Sequence, residues 1–206
     1  LGAGTGISSR LLAERGAQVL AIEPNQAMRE AAEPHPRVEW IATSAEHTGL
    51  GEASTDLVTA FQAFHWFDQR AALDETVRIL RPGGRAAVIY NERDERDPFT
   101  AAYGELVRTY QTDETERRRA DGLEIFAAFE AWKEKRRIEV RNDHELDLDG
   151  VLARARSTSY LPKDGPSGEA LHAAIRELVA RFAERGRVVM VMRTIVLACD
   201  AGTAGG

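Results

Sequence analysis

Three glycines separated by single residues, Gly2, Gly4 and Gly6 in LGAGTG, run straight into a stretch where Ile7, Leu11 and Leu12 recur at helical spacing. Glycine takes positive φ freely and has no Cβ, so the pattern reads as a tight turn that enters a helix and lets another molecule approach the backbone. The N–H groups that open a helix lack intrahelical partners and favour negative charge or oxygen acceptors. Gly16 stops the helix, and Gln18–Ile22 (QVLAI) follows as an apolar run of strand length ending in Glu23 and Pro24. In a parallel α/β sheet, this order puts a ligand's middle over the glycines. The acid, at the carboxyl end of the second strand, then accepts from paired ribose hydroxyls. The spacing leans away from nicotinamide dinucleotides, whose third glycine falls three residues after the second, where this chain has Ile7. A glycine cluster that only turns the chain is the plain alternative.

The next elements keep alternating. Asn25–Glu33 (NQAMREAAE) reads as a helix capped by Asn25 with Met28 facing inward, and VEWIAT as a strand. Asp56–Phe61 (DLVTAF) reads as a buried strand and Gln69–Leu80 as a helix. RPGG follows, where Pro82 and the glycine pair force a turn before the strand RAAVIY. Such alternation predicts an α/β fold, a doubly wound and mostly parallel sheet with helices on both faces. From Pro98 to about Lys135 the pattern becomes helical and charged, an inserted helical cover. Strand patterning returns in RIEVRNDHELDL and VVMVMRTIVLAC, with helices in DGVLARAR and GEALHAAIRELVARFAE. The tail 201–206 is expected to be disordered.

Composition narrows the function classes. A chain of 206 residues with 43% hydrophobic content supports one full core and a single domain over 1–200. The formal net charge of −6 and the lack of a clustered basic face argue against nucleic acid as partner. ERRRAD (Glu116–Asp121) and KEKRR (Lys133–Arg137) interleave with acids and read as solvated helix faces. The single cysteine, Cys199, excludes an internal disulfide, makes no metal motif and fits a reducing, cytoplasmic setting. No apolar stretch reaches membrane-spanning length.

LGAGTG, AIEPNQAM, ATSAEHTGL, STDLVTAFQAFHWFD, RILRPGG and RSTSYLP, in this order, resemble the class I S-adenosylmethionine-dependent methyltransferases, and specifically the small-molecule branch similar to trans-aconitate methyltransferase. AFHWFD after a buried strand is the most specific of these stretches. The resemblance implies a Rossmann-like sheet, mostly parallel with an antiparallel C-terminal strand. It also implies a cofactor-binding core over 1–97, the helical cover over 98–136 and C-terminal strands and helices over 137–200. It implies S-adenosylmethionine as cofactor and a small organic methyl acceptor, reacting at a carboxyl or hydroxyl oxygen, in a monomer or weak homodimer. Gly2, Ala3, Gly4 and Gly6 would pass the methionine portion, Glu23 would hold the ribose, and Pro24 with Met28 would border the adenine. Ser44 and Ala45 stand where the family has an acid followed by alanine, with Glu46 as the neighbouring acid. Phe61 and Gln62 complete the cofactor set. His65 is the candidate catalytic residue, as a base or as part of the acceptor pocket. Trp66, Asn91 and Tyr160 are further acceptor contacts, and Phe64 and Phe67 complete an aromatic wall. The resemblance further implies a strand and helices ahead of Leu1, so the 206 residues alone are expected to fold poorly. The competing functions are a nicotinamide-dependent oxidoreductase, for which no tyrosine–lysine pair is found, and a non-catalytic cofactor-binding relative.

Overall fold

The computed structural model describes residues 1–202. In chain order the elements are α1 (Ile7–Glu14), β1 (Val19–Ile22), α2 (Gln26–Glu30), β2 (Val38–Ile41), β3 (Thr55–Phe61), α3 (Gln69–Ile79), β4 (Leu80–Arg93), α4 (Pro98–Tyr110), α5 (Thr115–Ala128), β5 (Trp132–Arg141), β6 (His144–Leu146), α6 (Leu148–Ser157), α7 (Gly165–Phe182), β7 (Val188–Met190) and β8 (Met192–Ala201). A 3-10 turn, Phe64–Trp66, lies between β3 and α3. Two compact units share the chain. The first holds residues 1–90, 118–138 and 196 onward, and the second holds 91–117 and 139–195.

In the first unit, β1 and β2 pair in parallel, as do β3 and β4. A four-stranded sheet runs in the order β3-β4-β8-β5. Arg85 meets Asp200 while the next residue, Ala86, meets Cys199, so β8 runs antiparallel to β4. Leu1–Ala3 lie between the two parallel pairs: the Ala3 N–H donates to Ile22 O at 3.0 Å and the Leu1 amino group to Thr59 O at 2.6 Å. The core gathers Val58, Phe64, Leu73, Ile79, Val88, Tyr90, Phe126, Trp132 and Leu197. Each such side chain stabilises the fold by roughly 1.5–3 kcal/mol through loss of apolar surface from water. The expected cap holds, the Asn25 side chain accepting from Met28 N at the start of α2, and the structure adds a second, Asp68 accepting from Ala71 N at the start of α3. The second unit has its own core, in which Phe99, Tyr103 and Val107 of α4 pack with Val151 of α6 and with Leu171 and Ile175 of α7. There β6 and β7 form an antiparallel pair.

Several local expectations change. The face of α1 that packs inward carries Ser9 and Ala13, while Ile7 and Leu11 are 60% and 45% exposed. The helix after Glu23 is five residues long with no buried residue, and Met28, expected inward, is 45% exposed. RPGG does not precede the strand. Thr55 pairs with Leu80 and Leu57 with Arg85, so Arg81–Gly84 bulge out within β4. Gly83 takes φ of 76° there, and a Cβ on Gly84 would meet Arg81 O at 2.8 Å. KEKRR belongs to β5, not to a helix, and it is solvated as expected, since β5 is exposed at every position after Trp132. RIEVRNDHELDL divides between β5 and β6. Of the tail expected to be disordered, Ala201 closes β8 and residues 203–206 lie outside the described residues.

Candidate active site

Gly2, Gly4 and Gly6 all take left-handed φ, at 61°, 57° and 78°. A side chain at Gly2 would strike Ala63 at 2.6 Å, and one at Gly6 would strike the Trp40 ring at 2.7 Å. At Gly4 a Cβ would meet nothing within 4 Å, so this middle glycine borders open space. Gly6 is the N-cap of α1 and offers no side chain to its first N–H groups.

Glu23 locks this turn to the end of β1. It is 8% exposed and so not a surface acid. Its Oε2 accepts the Gly4 N–H at 2.8 Å and its Oε1 the Asn25 N–H at 3.0 Å, while its carbonyl accepts from Arg29 at 2.7 Å. Each carboxylate oxygen has capacity for a further donor. Pro24 and Met28 stand exposed beside it, so Met28 is an open apolar surface and not helix core. Ala45 is buried between Ser44 and Glu46, and the Glu46 carboxylate accepts the Asp68 N–H at 2.9 Å. Gln62, just past Phe61, holds a left-handed φ of 55° without being glycine, a strained backbone at a strand end.

AFHWF sorts its rings four ways. Phe64 goes to the core, edge-on to Phe67 at 5.9 Å and Phe126 at 5.8 Å. Phe67 lies against Gly2, and Trp66 is 53% exposed. His65 is buried, with its ring 4.6 Å from Trp66 and 5.7 Å from Tyr90. The Tyr90 hydroxyl oxygen lies 3.0 Å from the His65 backbone nitrogen and 3.2 Å from His65 Nδ1. Burial pushes the Tyr90 hydroxyl up to about 12. Sequence reasoning missed Tyr90: a tyrosine closing an apolar strand is what strand propensity alone would place there.

Asn91 and Tyr160 belong to the second unit. Asn91 Oδ1 accepts from Thr194 Oγ1 at 2.7 Å, and the Tyr160 hydroxyl donates to Glu116 at 3.3 Å. Glu116 is also ion-paired with Arg93, a partnership no sequence spacing announced. Among the described residues no group of three His, Cys, Asp or Glu could hold a metal ion, and no helix is long and apolar enough to cross a membrane.

The methyltransferase domain family matches residues 1–88. An uncharacterised methyltransferase of Mycobacterium tuberculosis is 39% identical over 108 residues, a match taking in 52% of this chain and 44% of that protein, so the chain covers less than half of this relative's length. A solved structure from Anaeromyxobacter dehalogenans, assigned as a type II methyltransferase, superposes with a TM-score of 0.69 at 25% identity, over 98% of this chain and 87% of that one. A phosphoethanolamine N-methyltransferase of Haemonchus contortus, solved with S-adenosylhomocysteine, shares the fold at a TM-score of 0.51 and 16% identity, over 98% of this chain and 48% of that one. Residues 1–88 match the methyltransferase domain family, and the chain has the fold of the solved methyltransferases it superposes on.

Proposed function

We propose that this chain is an S-adenosylmethionine-dependent methyltransferase acting on a small organic molecule at a carboxyl or hydroxyl oxygen. The observation that carries the reading is the joint made by Gly4 and Glu23: a buried carboxylate fixed by two backbone N–H groups, beside a glycine whose missing Cβ leaves space. That space and the remaining acceptor capacity of Glu23 fit a nucleoside bearing paired hydroxyls. Gly2, Ala3, Gly4 and Gly6 would line the amino-acid portion, Pro24 and Met28 the purine, and Ser44, Ala45, Glu46, Phe61 and Gln62 the remainder. The cofactor, when bound, supplies an electrophilic methyl group. The chain's task is to hold an acceptor in line with it, and such positioning accounts for up to about 7–11 kcal/mol of a barrier. His65, Trp66, Asn91 and Tyr160 are proposed for the acceptor. We assign the cofactor-binding core to 1–97, a cover that is helical as far as the end of α5 to 98–136, and the remaining strands and helices to 137–200. The lone buried cysteine supports a cytoplasmic setting, the acidic net charge supports a partner other than nucleic acid, and we take the chain as a monomer or weak homodimer.

Titration calorimetry of the full chain with S-adenosylhomocysteine and with NAD tests the reading, followed by methyl transfer from labelled S-adenosylmethionine to a panel of small carboxylates and alcohols that includes trans-aconitate. Micromolar binding of S-adenosylhomocysteine and none of NAD is expected. Tight NAD binding with no response to S-adenosylhomocysteine would sink it, and cofactor binding with no transfer to any acceptor would leave a binding protein in its place.

A further inference from the structure

Within the first unit a cavity of about 290 Å³ opens between α5 and the strands β5 and β8. Leu123, Phe126 and Ala127 of α5, Trp132 of β5 and Leu197 of β8 form its wall. In the sheet order, β4 and β3 separate β8 from Leu1 at the start of the glycine turn, so this cavity is apart from the Gly4 and Glu23 joint. Its volume is at the small end of the range for organic ligands, about 300–1,000 Å³, and apolar and aromatic walls are the usual lining of such sites. A single ring or a short chain fits.

Two features of the wall call for a partner. Trp132 is 3% exposed, and its indole Nε1–H is buried with no hydrogen-bond partner among the described residues. An indole nitrogen only donates, and a donor stripped of water without an acceptor is penalised, so an oxygen brought into the cavity would satisfy it. The rim carries Lys135, Arg136 and Arg137 against one carboxylate, Glu124. Arg136 is already held by Asp200 at 3.1 Å, whereas Lys135 pairs with no carboxylate among the described residues. We propose that this cavity is a second small-molecule site, for an amphipathic carboxylate whose hydrocarbon body lies between α5 and β5 and whose carboxylate takes the Trp132 N–H and the charge of Lys135. The excess of cations selects an anion, and the apolar wall requires a hydrocarbon body behind it. Inorganic phosphate has the charge and lacks the body, so it would gain nothing from these walls. The inference does not rest on the methyltransferase reading.

Titration of the full chain with phenylacetate, 4-phenylbutyrate and octanoate, followed through the tryptophan N–H signals in proton–nitrogen NMR, tests it. The chain has three tryptophans, and the Trp132 signal is assigned by its loss in Trp132→Phe or, if that variant does not fold, by elimination with Trp40→Phe and Trp66→Phe. At least one acid should bind with a Kd below about 1 mM and move the Trp132 signal downfield as the hydrogen bond forms. The alcohols with the same bodies should bind several-fold more weakly. Lys135→Gln, at an exposed position, should weaken the acids about two- to fivefold and leave the alcohols unchanged. Ala127 is exposed in the wall on α5, and Ala127→Phe should weaken acids and alcohols alike by about tenfold or more by filling the space their bodies need. No acid bound below about 1 mM, alcohols bound as tightly as acids, a Trp132 signal that does not move, or affinities indifferent to Ala127→Phe each overturn the inference. Displacement of the acids by S-adenosylhomocysteine would put them at the glycine turn, and displacement by an equal concentration of inorganic phosphate would reduce the site to a patch of charge; either result overturns it. So does a wild type that sediments as a dimer while Ala127→Phe is a monomer, because a second copy of the chain then fills the cavity.

Discussion

The Glu23 carboxylate holds two N–H groups from different parts of the chain, so removing it acts on both stability and binding. Glu23→Ala should weaken S-adenosylhomocysteine binding by about 1–3 kcal/mol, the usual cost of losing a hydrogen bond to a charged group. Calorimetry on variant and wild type checks this, and unchanged affinity would remove Glu23 from the cofactor site. The place of Glu23 at a strand end was legible in the sequence because an apolar run of strand length stops there, whereas its bonds to the Gly4 and Asn25 N–H groups were not. Met28 was misread because its helix, only five residues long, buries none of its residues, and helical spacing cannot say which helices pack. Tyr90 was illegible for another reason: its partner His65 is 25 residues away, and only the parallel pairing of β3 with β4 brings them together.

Among the elements, α3 is tied to the loop before β3 by Glu75, with Arg78 beside it donating to Leu50 O at 2.8 Å. Glu75 accepts from Thr48 N at 2.9 Å and from Arg78 Nε at 2.7 Å, and the Arg78 guanidinium first, then Thr48, hold its carboxyl down to about 2. Because the folded value lies below the ordinary 4.5, this contribution is complete above about pH 4.5 and is lost as pH falls toward 2. Glu75→Gln should therefore cost about 1–2 kcal/mol at pH 7, with Arg78 partly in water, and the gap from wild type should close between pH 4.5 and 2. Urea titrations across that range measure it, and a gap independent of pH would mean the ion pair contributes nothing. The helix α3 could be read in advance from its length and the turn that ends it, whereas its Asp68 cap, like the Asp97 cap of α4, shows only in the structure. Of β5 only the second half could be read, where Ile138 and Val140 alternate in RIEVR. In its first half the charges of KEKRR, which discourage edge-to-edge pairing, look the same as those of a solvated helix.

For the molecule as a whole, alternation of strand and helix in the first ninety residues made the α/β class readable, whereas nothing in the charged second half announced a unit with a core of its own. Leu171 is buried in that second core, and Leu171→Ala should cost about 2–5 kcal/mol. Hydrogen exchange should show protection lost first in 91–117 and 139–195, and uniform loss across β1, β2 and β3 would mean that the two cores open as one. Cys199 carries a last consequence. Its thiol sits on β8 against Ala86 O of β4 at 3.6 Å, sealed from solvent, and burial pushes it up to about 12. A thiol reagent can reach it only in molecules that have opened around it, where β8 packs against β4 and α5, so native labelling should run on the order of a thousandfold slower than in denaturant. Equal rates would contradict the burial. With one cysteine in the chain, every labelled molecule records a single opening around Cys199, and the residue is a built-in stopwatch for how often this core comes undone.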